Sequence, residues 1–244
     1  MRIDILGVKI DNLSFDQVLD KVEQFLKDGK KHYIVTPNPE MVVLAQKDSQ
    51  FRQILNSADL AIPDGIGLVW ASRLLRGKEK KGIRERVRGV DFADKLCQIA
   101  AKKGAAVGFL GGKDKVADKA AKCQIAKYPG LKVVFALGSD PEKAAIDIKK
   151  VDILFVAYGA PKQEFWISQN LPKLPVKIAI GVGGVFDYWA DKVKRAPKWL
   201  QNLGLEWLWR LILQPWRIKR QLALLIFVYL VIKQRLSLKL TVLT

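Results

Sequence analysis

Asp64 is the carboxylate best placed to do chemistry in this 244-residue chain. It follows the apolar run Leu60-Ala61-Ile62 in the turn Pro63-Asp64-Gly65-Ile66-Gly67, stiffened by proline before it and left uncrowded by glycine after it. A carboxylate held there can take a proton from a hydroxyl as general base, and an ordinary pKa of about 3.9 keeps it ionised at neutral pH. It can equally cap the helix that follows. Thr36 and Asn38, locked between Pro37 and Pro39, form a polar pair that can position a sugar or cap the next helix. Eight basic residues run from Arg73 to Arg88 against Glu79 and Glu85. This stretch reads as a loop that is either simply solvated or closes over a diphosphate.

What the chain lacks is as useful. There is no Asp-x-Asp, a single His (His32), and two cysteines, Cys97 and Cys123, both in helix-like stretches. No metal cage and no cofactor are expected, and a reducing compartment is. Arginine and lysine would have to neutralise a leaving diphosphate. Gly181-Val182-Gly183-Gly184 is not a dinucleotide fingerprint, and Gly111-Gly112-Lys113 lacks phosphate-loop spacing. A nucleotide-dependent oxidoreductase is disfavoured accordingly.

The elements that must carry these loops alternate. Ile3–Ile10 reads as a hairpin around Gly7, and Ser14–Lys27 as an amphipathic helix stopped by Gly29. Strands are predicted at Tyr33–Thr36, Leu60–Ile62, Ala106–Leu110, Lys132–Ala136, Ile153–Ala157 and Lys177–Ile180. Helices are predicted near Glu40–Asp48, Gln50–Ser57, Gly67–Leu75, Val90–Lys102, Lys113–Tyr128, Glu142–Lys149 and Gln163–Gln169. The pattern predicts an α/β fold, a Rossmann-like, mainly parallel sheet with helices on both faces. Six glycine- or proline-rich turns follow the carboxyl ends of the strands, where open α/β sheets bind ligands. Together they predict a nucleotide-sized crevice.

Residues 192–244 differ from the rest. They carry eleven Lys or Arg against one acid, Glu206, so +10 of the net +18 lies there, with four of the seven Trp. Residues 1–191 are read as the catalytic domain and 192–244 as a basic, Trp-rich helical appendage. Cations and Trp beside the apolar run Leu222–Ile232 suit an anionic lipid surface. Twelve uncharged residues between Arg220 and Lys233 reach roughly 18 Å as a helix, against about 30 Å of hydrocarbon, so the run is expected to lie in the interface rather than cross. Packing on its own domain or on a second subunit is the alternative. Pro215 should separate helices Glu206–Leu213 and Trp216–Lys233 and put Arg217, Lys219 and Arg220 in a first turn, where cations oppose the helix dipole unless an anion sits among them. Self-association off the membrane is a further expectation. Met1-Arg2-Ile3-Asp4 offers no apolar signal core, so export is not expected. A basic stripe with stacking aromatics would point to nucleic acid; Trp next to an apolar run favours lipid instead.

These loops resemble the WecG/TagA/CpsF glycosyltransferase family. The matching stretches are Thr36–Met41, Ala58–Arg73, Arg86–Asp91, Gly159–Glu164, Gly181–Asp187, Lys194–Trp199, Gly204–Arg210, Gln214–Arg217 and Arg220. The resemblance covers essentially the whole chain in register. It implies a peripheral, metal-independent, inverting transferase at the cytoplasmic face of the plasma membrane. The donor would be UDP-N-acetylmannosamine (UDP-ManNAc), and the acceptor the 4-hydroxyl of N-acetylglucosamine on undecaprenyl diphosphate, in wall teichoic acid synthesis. Sister members use other sugars, including N-acetylmannosaminuronic acid. The resemblance makes Asp64 the base, with Thr36, Asn38 and Gln163 around the sugars and Arg86 near phosphate. Gly183, Gly184 and Asp187 become nucleotide contacts, and Arg210, Arg217 and Arg220 grip the acceptor diphosphate.

Overall fold

In the computed structural model the described residues are 1–76, 82–113, 115–138, 140 and 148–241, without the side chains of Lys219 and residues 239–241. Lys78, Lys80 and Lys81 of the basic stretch, and nearly all of the helix expected at Glu142–Lys149, lie outside them.

The hairpin pairs β1 (Arg2–Ile5) with β2 (Val8–Asp11) through a Leu6–Gly7 turn, and buries Ile3, Ile5, Val8 and Ile10 on the body. Six parallel strands follow: β3 (His32–Val35), β4 (Leu60–Ala61), β5 (Ala106–Gly111), β6 (Lys132–Leu137), β7 (Val151–Ala157) and β8 (Val176–Gly181). Their order across the sheet is β4-β3-β8-β7-β5-β6. All six predicted strands are present; the inner ones such as β7 and β8, buried on both faces, read as continuous apolar runs. The pleat then divides each strand between two cores. On β7, Leu154 and Val156 enter one and Ile153 and Phe155 the other.

The first core is completed by the hairpin, α2 (Pro39–Lys47), α3 (Ser49–Ser57), α4 (Ile66–Arg76) and α7 (Lys162–Asn170). The second is completed by α1 (Phe15–Lys27), α5 (Gly89–Lys103), α6 (Val116–Lys127) and α8 (Val185–Trp189). α1 starts on a capping box, with Ser14 and Gln17 each bonding the other's backbone N–H. With all strands parallel, their carboxyl ends and the loops that leave them share one edge.

The appendage forms α9 (Lys198–Asn202), α10 (Glu206–Leu213), a 3-10 turn at Pro215–Arg217 and α11 (Ile218–Thr241). α10 has the predicted bounds. α11 differs: it runs eight residues past Lys233, since nothing in Gln234–Thr241 breaks a helix. Its 24 residues reach roughly 36 Å, and Pro215–Leu238 is long and apolar enough to cross a membrane by length and composition. The length argument against a crossing therefore fails for the helix as folded. α11 instead lies along the body. Phe227 and Val231 are 2% and 0% exposed against α2 and α4, while Leu222, Leu225, Ile226, Tyr229 and Ile232 face outward.

Phe227 should hold this helix down. Phe227→Ala is expected to cost docking about 3 kcal/mol, roughly two orders of magnitude in the docked-to-undocked ratio. Hydrogen exchange along α11 reads this directly; a variant exchanging as slowly as the parent would show that docking does not depend on Phe227.

Candidate active site

At the carboxyl edge the loops surround one cleft of about 1000 Å³. Every residue singled out from the sequence lines it: Thr36, Asn38, Asp64, Arg86, Gln163, Gly183, Gly184, Asp187, Arg210, Arg217 and Arg220. They come from four strand–helix loops, from the segment before α5 and from the appendage.

The β3–α2 and β4–α4 loops are tied together, the Asp64 N–H donating to the Pro37 carbonyl at 2.9 Å. Asn38 is an N-cap, its Oδ1 accepting from the Met41 N–H at 3.0 Å, so the side-chain NH2 is what it can offer a ligand. Asp64 lies at the cleft wall and its carboxylate accepts from the Gly89 N–H, at the start of α5 rather than of the adjacent α4. Burial, and then the nearby charge of Glu206, push its pKa up to about 6, while the Gly89 N–H and Arg86 oppose the shift. The expectation of an ordinary value near 3.9 is corrected: the environment is too dry and too acidic for it.

Gln163, at the cleft, also ties two of its loops together. Its Oε1 accepts from two backbone N–H groups, Gly159 at 3.0 Å and Gly183 at 2.9 Å, and so joins the β7–α7 loop to the β8–α8 loop. Its Nε2 donates to Glu164 Oε1 at 2.7 Å. Only one orientation of the amide satisfies all three partners, since a flipped NH2 would meet two donors. Glu164 is 1% exposed, and burial pushes its carboxyl up to about 7. Sequence reasoning gave Glu164 no role. Its signal was a carboxylate inside the buried first turn of α7, directly after a proline-containing loop.

The appendage supplies the cationic wall. Arg210 donates to Asp187 at 3.1 Å and stacks its guanidinium 4.9 Å from the Tyr188 ring. It crosses directly over Gly184, where an added Cβ would lie 2.5 Å from a guanidinium nitrogen, so a larger residue there would push the guanidinium aside. Arg220 donates twice to Glu40, at 2.6 and 3.0 Å. Among the described residues Arg217 forms no ion pair. Burial, with repulsion from Arg210 and Arg220, lowers its pKa to about 10. A half-buried guanidinium between two others is a site that an anion would stabilise.

Arg86 faces the appendage as well as the cleft. It donates to the Gln201 carbonyl at 3.0 Å and to Glu206 at 3.2 Å. Arg88 reaches Asp91, Gln201 and Asn202, and Arg195 reaches Asp91 at 2.6 Å. Glu206 and Arg88, neither of which was given a site role, line the cleft too. Among the described residues no three His, Cys, Asp or Glu converge to ligate a metal ion. The arrangement offers a carboxylate with a raised pKa as proton acceptor, a pinned pair of glycine-rich loops that could take a nucleotide and several guanidinium groups that could take phosphate charge. That is the equipment of a transfer from a nucleotide-activated donor to a hydroxyl.

Comparison with known proteins agrees with this chemistry. The glycosyl transferase WecG/TagA/CpsF family model matches residues 3–241. A Bacillus subtilis (strain 168) protein named N-acetylglucosaminyldiphosphoundecaprenol N-acetyl-beta-D-mannosaminyltransferase is 33% identical over 229 residues, 91% of this chain and 88% of its own. A Staphylococcus aureus (strain MRSA252) protein of the same name is 30% identical over 245 residues, 98% of this chain and 95% of its own. A match of that extent makes the chain a glycosyltransferase and a member of the WecG/TagA/CpsF family.

Proposed function

We propose that this protein moves N-acetylmannosamine from UDP-ManNAc, with inversion, to the 4-hydroxyl of N-acetylglucosamine on undecaprenyl diphosphate, a step of wall teichoic acid linkage-unit synthesis. The observation that carries the reading is the meeting, in one cleft, of a carboxylate with a raised pKa and a row of appendage arginines. The activity for which the Bacillus subtilis and Staphylococcus aureus relatives are named supports the sugar and the acceptor.

Asp64 is the general base. As the acceptor oxygen attacks the anomeric carbon from the face opposite UDP, its proton passes to the Asp64 carboxylate. A pKa of about 6 leaves the base mostly ionised at neutral pH yet a better proton acceptor than an ordinary aspartate. Thr36 and Asn38 orient the sugars. Gln163 acts through the loops it pins, presenting Gly183 and Gly184 to the nucleotide. Arg210, Arg217 and Arg220 take the acceptor diphosphate. Residues 1–191 are then the catalytic body, and 192–244 the appendage that completes the site while its outward apolar face rests on the cytoplasmic leaflet.

The decisive assay offers the protein a panel of UDP-sugars and the lipid-diphosphate-linked acceptor with EDTA present. Product carrying N-acetylmannosamine is expected; product from another sugar alone would overturn the donor. Asp64→Asn should lower turnover by about 10²–10⁴-fold while UDP-sugar still binds. In the parent, activity should fall as pH drops through about 6, where Asp64 takes up a proton. A flat profile there would remove Asp64 from the base role.

The same shift carries a stability signature. The folded pKa lies above the unfolded one, so the fold favours the protonated carboxyl; that contribution is full below about pH 4 and is lost as pH rises through about 6. Asp64→Asn imitates the protonated form. Its Tm should exceed the parent's near neutral pH, and the gain should vanish toward about pH 4. Removing everything after Gly204 should cost transfer to the lipid-linked acceptor and liposome flotation together, and a truncated protein that keeps both would refute the role of the appendage.

A further inference from the structure

One part of the cleft lining is apolar. Along the appendage side, Arg217, Gln221, Leu224 and Val228 all line it. Gln221, Leu224 and Val228, three and four residues apart, form one row on α11, and Arg217 heads that row from the 3-10 turn just before the helix. The row lies between the docked face of α11, which carries Phe227 and Val231, and its outward face, which carries Leu225 and Tyr229. It therefore changes along its length from cationic to polar to apolar, and Gln221 to Val228 spans roughly 10 Å.

α4, which touches α11, lines the cleft as well. Ile66 and Trp70, one turn apart, line the same cleft and are 46% and 40% exposed. These are large apolar surfaces to leave in water beside a catalytic residue. Their approach to α11 is set by Gly67, where an added Cβ would lie 2.8 Å from Pro39 Cγ and 3.7 Å from the Phe227 ring. A side chain there would fill the space between the two helices.

We infer that this slot, with Ile66 and Trp70 on one wall and Leu224 and Val228 on the other, holds the first isoprenoid units of the lipid-linked acceptor. The inference rests on the proposed function. The occupant follows from continuity and charge: a ligand whose diphosphate lies at Arg217 and Arg220 must send its next carbons either into water or along this row. An isoprenoid stem is flat, unbranched by polar groups and complementary to an indole and two aliphatic side chains. The slot thus reads the lipid part of the acceptor before the chain enters the bilayer.

The test compares two acceptors bearing the same sugar diphosphate, one on an undecaprenyl chain and one on a short water-soluble alkyl group, in the same detergent micelles with full-length protein. The parent should prefer the long acceptor in kcat/KM. Trp70→Ala and Val228→Ser should each lower the long-to-short ratio by about tenfold. Both positions are about 40% exposed, so both variants should fold. An unchanged ratio, or equal loss on both acceptors, would overturn the slot while leaving the proposed function intact. A parent protein that glycosylates neither acceptor would remove the proposed function, and the slot with it.

Discussion

Glu206 is where the body and the appendage become one site. It is the appendage's sole acid, and three arginines converge on it: Arg86 at 3.2 Å, Arg195 at 3.7 Å and Arg88 at 3.9 Å. Two of them precede α5 and one belongs to the appendage, so a single carboxylate joins both. Partly buried networks of this kind are costly to break from one side, because the remaining charges lose their partner without regaining water. The same carboxylate is the strongest source of negative charge raising Asp64. Docking of the appendage and basicity of the proposed catalytic group are therefore linked through one ion: when the appendage leaves, Glu206 leaves with it, and Asp64 becomes both wetter and less basic.

The sheet was readable in the sequence because burial on both faces writes itself as uninterrupted apolar runs. Ile153–Ala157 and Lys177–Ile180 were found within two residues of their ends. The cleft was readable for a related reason: a parallel sheet puts all its strand-to-helix turns on one edge, so glycines and prolines after each strand had to meet. What each polar side chain does there was not readable. Asp64 bonds the start of α5, twenty-five residues away, and Gln163 bonds a glycine twenty residues on. Such partners are set by which strands are neighbours, β7 beside β8 and β3 beside β4, and local spacing carries no trace of that order. The extent of α11 was misjudged because charge was taken as a stop. Lys233 and Arg235 are good helix formers whose stems can lie along the helix while their charges reach water.

The arginines of the cleft are unequal, and the inequality orders events at the site. Arg220 is exposed and holds Glu40 in water, a pair worth under about 1 kcal/mol, so a diphosphate can take its place on Arg220 at little cost. Arg210 is more committed, gripping Asp187 and stacked on Tyr188. Arg217 lies between them, desolvated and repelled by both, which is why its proton is held less tightly than in a free guanidinium. The free energy stored in that repulsion is released only when negative charge arrives. An anion entering the cleft should settle first against Arg217, then compete with Glu40 for Arg220 and with Asp187 for Arg210. On the proposed function, the acceptor diphosphate would be drawn less to the number of cations in the cleft than to Arg217, which forms no ion pair among the described residues.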